Sequence, residues 1–355
     1  MRVMGFPGLY VQGRGVISQL GKWVSRFGTR PFVVSDSRVW SLYSERITKS
    51  LPSHTYSEFG GELCPEEIEL QRARSLEAKC DVVIGLGGGK VQDTAKAVKL
   101  HTHVPVVIVP TVASNDAATS RLIITYTKEG EFLGPLFLPT NPEAVIVDTE
   151  VIRTAPIRFL KAGVADALAT YYEAEECRKS GALNFFGGRP TATALELARL
   201  CREVVLSTAP KALEAIQQGL DCDEIEQLIE AVVLLSGLGF EGCGVAAAHA
   251  VSQGFTLIPQ LRGNLHGEEV AAGLIVQLLL EQRGKDELQQ IVSFYKTLGL
   301  PLSVKDLGLH NPTEEQLNLI ASFACRENSR LYNMSFPIHI QDVVRALKAG
   351  MELSS

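Results

Sequence analysis

The chain has 355 residues with 34 Lys and Arg against 40 Asp and Glu, a formal net charge of −6, which excludes the concentrated basic surface that nucleic-acid phosphates demand. Hydrophobic residues make up 46% and charged residues 21%, the usage of a soluble globular chain long enough for two separately cored domains, and no run approaches the ~18 apolar residues of a membrane span. Seven cysteines without a C-x-x-C pair exclude a disulfide framework or a cysteine zinc site. The N-terminus MRVMGFPGLYVQG lacks an apolar signal region, so a cytoplasmic protein with reduced thiols is expected.

In chain order, RPFVVSDSR reads as a buried strand ending in polar residues and CPEEIELQRARSLEAK as a helix. CDVVIGLGGG is a strand running into glycines, followed by the helix KVQDTAKAVKLH, the strand VPVVIVPT and a later strand in EAVIVDTEVI. Short apolar runs bounded by turn residues and separated by helices predict parallel strands covered on both faces, the doubly wound α/β class. After about Ile157 the pattern changes. KAGVADALATYYEAEECRKS, PTATALELARLCREVVLSTAPKALEAIQQG, EIEQLIEAVVLLSGLGF and EEVAAGLIVQLLLEQR carry apolar residues at three-to-four spacing, which predicts an all-helical second domain. The expected domains are residues 1–155 and 156–355, packed closely around a cleft of the kind that holds small molecules.

Three stretches carry candidate chemistry. DVVIGLGGGKVQDTAKAV places Gly85, Gly87, Gly88 and Gly89 between a strand and a helix, where backbone N–H groups and a helix N-terminus suit a phosphate. A tight structural turn is the competing reading. The spacing is neither G-x-G-x-x-G nor a Walker loop, since Val91 follows Lys90. Asp36 ends the earlier strand, where a carboxylate can hold the hydroxyls of an adenine ribose or simply cap a helix; Arg38 nearby leaves NAD against NADP open. PTVASNDAATS, Pro110 to Ser120, is a hydroxyl-rich loop directly after a strand, with Asp116 readable as a ligand contact or an N-cap. His249 in AAAHAV and His266 in LHGEEV are candidate metal ligands, or hydrogen-bonded core and cap residues.

Together, YVQG, GGELCPEEI, GLGGGKVQDTAKA, PTVASNDAATS, NPEAVIVDTEVI, AGVADALATYYEA, LSGLGFEGCGVAAAHAV and LHGEEVAAG resemble the glycerol dehydrogenase branch of the iron-containing (group III) alcohol dehydrogenase superfamily, along nearly the whole chain. The resemblance implies a Rossmann-like N-terminal domain, a helical C-terminal domain and an active site between them. It implies metal ligands at Asp166, His249 and His266. Cofactor contacts fall on Asp36, Gly88, Gly89, Lys90, Asp93, Thr111, Ser114, Ser120, Leu122 and Tyr126, and a substrate-contacting aspartate on Asp116. Thr170 stands where iron-type relatives carry a further histidine, so three protein ligands and an open position, the arrangement of a catalytic zinc, are expected. The implied activity is reversible, NAD-dependent oxidation of glycerol or a related vicinal diol by a homo-oligomer, octameric in family precedent.

Four departures bear on substrate identity: Ser252 in place of a second histidine, Arg121 in place of a small residue, Ala118 for a proline and Tyr332 for a histidine. An added guanidinium suits a carboxylate, so a 2-hydroxy acid is the alternative substrate, unless Arg121 faces solvent or forms a salt bridge. Dehydroquinate-synthase-like phosphate elimination on the same architecture requires a Lys and Arg cluster, which the metal motifs lack. A non-catalytic scaffold is disfavoured by intact ligand positions.

Overall fold

The computed structural model describes residues 1–354. The chain divides into two compact units, Gly5–Ile157 and Arg158 onward together with Met1–Met4. The first residues therefore join the helical unit rather than the α/β unit: Asn184 Nδ2 donates to the Val3 carbonyl at 2.7 Å, and Arg2 bridges Arg189.

The α/β unit contains β1 (Tyr10–Gly13), α1 (Leu20–Val24), β2 (Pro31–Ser35), α2 (Ser37–Ser50), β3 (Thr55–Glu58), α3 (Pro65–Glu77), β4 (Val82–Gly87), α4 (Gly89–Thr102), β5 (Val106–Pro110), β6 (Leu122–Tyr126), β7 (Phe132–Phe137), β8 (Ala144–Asp148) and α5 (Thr149–Thr154). Six strands form one sheet in the order β1-β8-β5-β4-β2-β3, every pair parallel. The unbroken apolar runs of β2, β4, β5 and β8 are buried throughout, as strands covered on both faces must be. Val33, Ile84, Val107 and Ile146 pack with Leu20, Ile47 and Val151 from α1, α2 and α5 on one face. On the other face α4 lies so close that a Cβ at Gly85 would meet Ala95 Cβ at 2.8 Å.

Because α2 follows β2 on one face and α4 follows β4 on the other, the chain reverses its winding between these adjacent strands. Their C-terminal ends flank the topological switch point, where open α/β sheets take ligands. Ser35 Oγ donates to the Leu86 carbonyl across it at 2.7 Å. β6 and β7 form a separate antiparallel hairpin that the period-two pattern did not reveal.

The second unit comprises α6 (Ile157–Ser180), α7 (Ala192–Gln217), α8 (Asp223–Glu230), α9 (Ser236–Cys243), α10 (Ala247–Phe255), α11 (His266–Leu280), α12 (Lys285–Leu298), α13 (Glu314–Ala324) and α14 (Ile340–Leu353), with a π-helical turn Ala231–Leu235 between α8 and α9. Its core gathers Ala250, Val251, Ala272, Val276, Ile320, Val343 and Leu347 from α10, α11, α13 and α14. Among the described residues no single helix is long and apolar enough to cross a membrane.

Candidate metal centre and nucleotide site

Two glycines bring the metal candidates together. A Cβ at Gly267 would lie 1.9 Å from the Ala162 carbonyl oxygen of α6, and one at Gly273 would lie 2.2 Å from the Ala248 carbonyl oxygen of α10. Any side chain there would push α11 off both helices, so glycine sets the approach of His266 to Asp166 and His249. Potential ligand atoms of Asp166, His249 and His266 all lie within 4.8 Å of one another. His249 Nε2 is 3.5 Å and His266 Nε2 3.7 Å from Asp166 Oδ1, while the two rings sit 5.3 Å apart, tilted by 53°.

Those separations are long for hydrogen bonds but suit a shared ion. Donors at about 2.0–2.1 Å from a tetrahedral zinc stand roughly 3.4 Å from each other. The donor set of one carboxylate and two imidazoles fits zinc. Thr170 adds no fourth ligand: it is buried, and its Oγ1 lies 2.9 Å from Ser236 Oγ.

Glu173, on the face of α6 that carries Asp166, went unnoticed in the sequence. Its Oε2 lies 2.6 Å from His249 Nδ1, and its Oε1 accepts the backbone N–H groups of Ala246 at 2.7 Å and His249 at 3.0 Å. The carboxylate is wholly buried. With the supporting bond a metal-ligating histidine requires, it holds a proton on Nδ1 and so leaves Nε2, which faces Asp166, as the ring atom that takes either a second proton or an ion. Two-turn spacing from Asp166 on one helix was the available signal.

Burial disfavours a charged His249, but Glu173 and Asp166 outweigh it and hold its pKa well above the ordinary histidine value. The two carboxylates thus call for positive charge at this point, which a proton or a cation can supply. Desolvation pushes His266 below the ordinary value although Asp166 opposes this, and although 45% of its side chain is accessible. That keeps its ring neutral and able to ligate.

In the α/β unit, the glycine turn separates into two functions. Gly85 and Gly87 serve packing: a Cβ would meet Ala95 Cβ and Val91 Cβ at 2.8 Å. Gly88 needs no such explanation. It has an extended backbone, φ −78° and ψ −177°, and its Cβ would meet only Val112 Cγ2 at an ordinary 3.5 Å. The fold tolerates a side chain there, whereas a phosphate pressed against the α4 N-terminus does not. The N-cap residue of α4 is Gly88 itself, which has no side chain to cap the helix. Nearby, Thr111 Oγ1 is buried without a hydrogen-bond partner among the described residues. Together these features fit a nucleotide.

Asp36 caps α2, its Oδ1 accepting the Val39 N–H at 2.9 Å, so the cap reading holds alongside any ribose contact. Lys90 Nζ pairs with Glu62 Oε2 at 2.7 Å and stands 4.8 Å from the Tyr126 ring centroid. Asp116 begins the 3-10 turn Ala117–Thr119 without a side-chain capping bond to it. Ser114 is half-buried, Ser120 is buried with Oγ donating to the Ala117 carbonyl at 3.2 Å, and Leu122 and Tyr126 open and close β6.

Asp93, an expected cofactor contact, has both carboxylate oxygens engaged within the chain. Its Oδ1 takes the Lys96 ammonium at 2.9 Å and its Oδ2 the Ile124 N–H at 2.9 Å. Lys96, fully buried, also donates to the carbonyls of Ala117 at 2.6 Å and Leu122 at 2.9 Å. This pair fastens the loop carrying Asp116, Ser120 and Leu122 to α4. Buried lysine inside an amphipathic-looking helix gave no sequence signal.

Of the departures, Arg121 donates from Nη1 to the Leu138 carbonyl at 2.8 Å and lies 5.2 Å from the Phe137 ring centroid. It fastens β6 to the end of β7, as neither the carboxylate-binding nor the solvent-facing reading anticipated. Ser252 is buried and donates to the His249 carbonyl at 3.0 Å. Tyr332 is exposed, its hydroxyl on the Cys325 carbonyl at 2.8 Å, and Ala118 is buried.

Residues 7–149 match the family described as iron-containing alcohol dehydrogenase. A glycerol dehydrogenase of Thermotoga maritima is 44% identical over 97% of this chain and 95% of its own length. The crystal structure of glycerol dehydrogenase from Schizosaccharomyces pombe superimposes with a TM-score of 0.96 at 35% identity, covering 100% of this chain and 91% of that one. A probable glycerol dehydrogenase from Sinorhizobium meliloti 1021 gives 0.95 at 38% identity, covering 100% and 99%. The chain belongs to the iron-containing alcohol dehydrogenase family, among its glycerol dehydrogenase members.

Proposed function

We propose that this protein oxidises glycerol, or a related vicinal diol, with NAD⁺ and a zinc ion held by Asp166, His249 and His266. The observation that carries the reading is the convergence of those three side chains over the buried Glu173. When bound, NAD⁺ supplies the hydride acceptor and zinc a Lewis acid that favours loss of the substrate's hydroxyl proton.

The chain's own residues do the rest. Glu173 keeps His249 in the ligating tautomer. Backbone N–H groups at Gly88, Gly89 and Lys90 hold the pyrophosphate, with Thr111 and Ser114 beside it. Asp36 takes the adenine ribose. Ser120, Leu122 and Tyr126 hold the nicotinamide end on the loop that Lys96 and Asp93 position, and Asp116 orients a substrate hydroxyl. Glycerol would leave as dihydroxyacetone. The reading includes a cytoplasmic homo-oligomer. The diol is favoured over the 2-hydroxy-acid alternative, because one Arg121 donor, Nη1, is given to the Leu138 carbonyl and the guanidinium lies against Phe137.

NADH formation by zinc-loaded protein on glycerol, 1,2-propanediol and a short 2-hydroxy acid, with and without chelator, tests the assignment. Chelator-sensitive turnover on the diols is expected, and His266→Ala should abolish it while NADH binding persists. Undiminished turnover in that variant would dismiss the metal assignment; turnover confined to the hydroxy acid would dismiss the substrate.

A further inference from the structure

Lys90 is the second residue of the α4 helix, directly after Gly88 and Gly89, so its ammonium and the helix N-terminus present positive charge at one place. That charge is already answered from within the chain. Glu62, in the loop between β3 and α3, places Oε2 2.7 Å from Lys90 Nζ, and its Oε1 accepts the Leu63 N–H at 3.2 Å. Tyr126 covers the ammonium from another side, 4.8 Å from ring centroid to Nζ. The loop is anchored nearby: Tyr126 N–H donates to the Leu63 carbonyl at 2.9 Å, and Gly61 reaches φ +101°, which favours glycine. Glu62 is thus held at the point where a negative group would approach, and the Glu62 and Lys90 side chains remain 22% and 45% exposed, so either can move.

We propose that Glu62 is an internal competitor for the cofactor's pyrophosphate: it pairs with Lys90 in the free protein and yields Lys90 to the nucleotide, thereby weakening NAD(H) binding and speeding its release. The inference rests on the nucleotide reading of the glycine turn. Removing a carboxylate that merely braced its loop would weaken binding. Removing a competitor tightens it.

The magnitude follows from the exposure of the pair. Partly exposed ion pairs contribute about 0.2–1 kcal/mol, so Glu62→Gln should lower the NADH dissociation constant by roughly 1.5- to fivefold. The amide keeps an oxygen for the Leu63 N–H, so the loop retains its brace. NADH binding is measured by fluorescence titration and its release by stopped flow, in wild type, Glu62→Gln, Lys90→Gln and the double variant. Tighter binding and slower release are expected in Glu62→Gln. The gain should vanish in the Lys90→Gln background, since a general charge effect on an anionic ligand would persist there. Equal or weaker binding in Glu62→Gln, or a gain that survives loss of Lys90, overturns the proposal. Failure of wild type itself to bind NADH overturns the nucleotide reading, and the proposal with it.

Discussion

Replacing Glu173 by Gln tests the metal centre at the atom that organises it. Glutamine retains a carbonyl oxygen that can accept from the Ala246 and His249 N–H groups, now at 2.7 and 3.0 Å from Oε1. It also turns an NH₂ group toward His249 Nδ1, which lies 2.6 Å from the present Oε2. Two donors then face each other, and the ring relieves this by moving its proton to Nε2, the atom that faces Asp166. Loss of such a supporting partner typically weakens metal binding 10- to 100-fold, about 1.4–2.7 kcal/mol at 1.36 kcal/mol per decade. The loss should depend on pH. Glu173 also raises the His249 pKa, so in wild type protons compete with the ion below that pKa. In acid the competition depresses wild-type affinity and narrows the difference; above it the full loss appears. Zinc affinity is read by competition with a chromophoric chelator at several pH values, beside thermal unfolding with and without zinc. A variant that unfolds at lower temperature yet binds zinc as tightly as wild type at every pH would refute the reasoning and leave Glu173 a packing residue.

Lys96→Met should destabilise by about 3–5 kcal/mol, and by more than Asp93→Asn. It strands a buried carboxylate and the Ala117 and Leu122 carbonyls, whereas Asn retains an acceptor for the ammonium; denaturant unfolding decides, and the reverse order would sink the account. Glu269 is pushed up to about 8 by burial, with Glu268 adding to the shift. Its raised folded pKa gives stability that is complete below the unfolded value near 4.5 and lost as pH rises through 8. Glu269→Gln should therefore gain on wild type by up to a few kcal/mol between those limits, and a difference in melting temperature constant from pH 5 to 9 would contradict it. Arg121→Gln should lower stability by roughly 1 kcal/mol through the lost Leu138 bond and Phe137 contact without changing discrimination between diols and 2-hydroxy acids. A switch in that discrimination would restore Arg121 to the substrate site.

Period and composition alone were sufficient for the two kinds of domain. Buried parallel strands must read as unbroken apolar runs and packed helices as three-to-four spacing, so VVIGLG and VVIVP were legible as strands before any contact was known. β6 and β7 were not, because a partly exposed hairpin containing Gly134 and Pro135 has neither a continuous run nor clean alternation. The candidate metal-ligating residues, which the structure brings within reach of one another, were legible through the motifs that carry them, as were the glycines after β4. Their division of labour was not: Gly85 and Gly88 look alike in sequence, and only the position of α4 shows that the first is needed for packing and the second is not. The same holds for Glu173 against other acids of α6, for Lys96 against other lysines, and for Arg121, whose charge suggested a ligand before its partners were visible. The sequence determines which side chains can carry charge, donate or ligate, and how each segment folds locally. Which charge meets which partner depends on residues far apart in the chain reaching within 3 Å, and that is decided by tertiary packing, because electrostatic and hydrogen-bonding roles are properties of pairs.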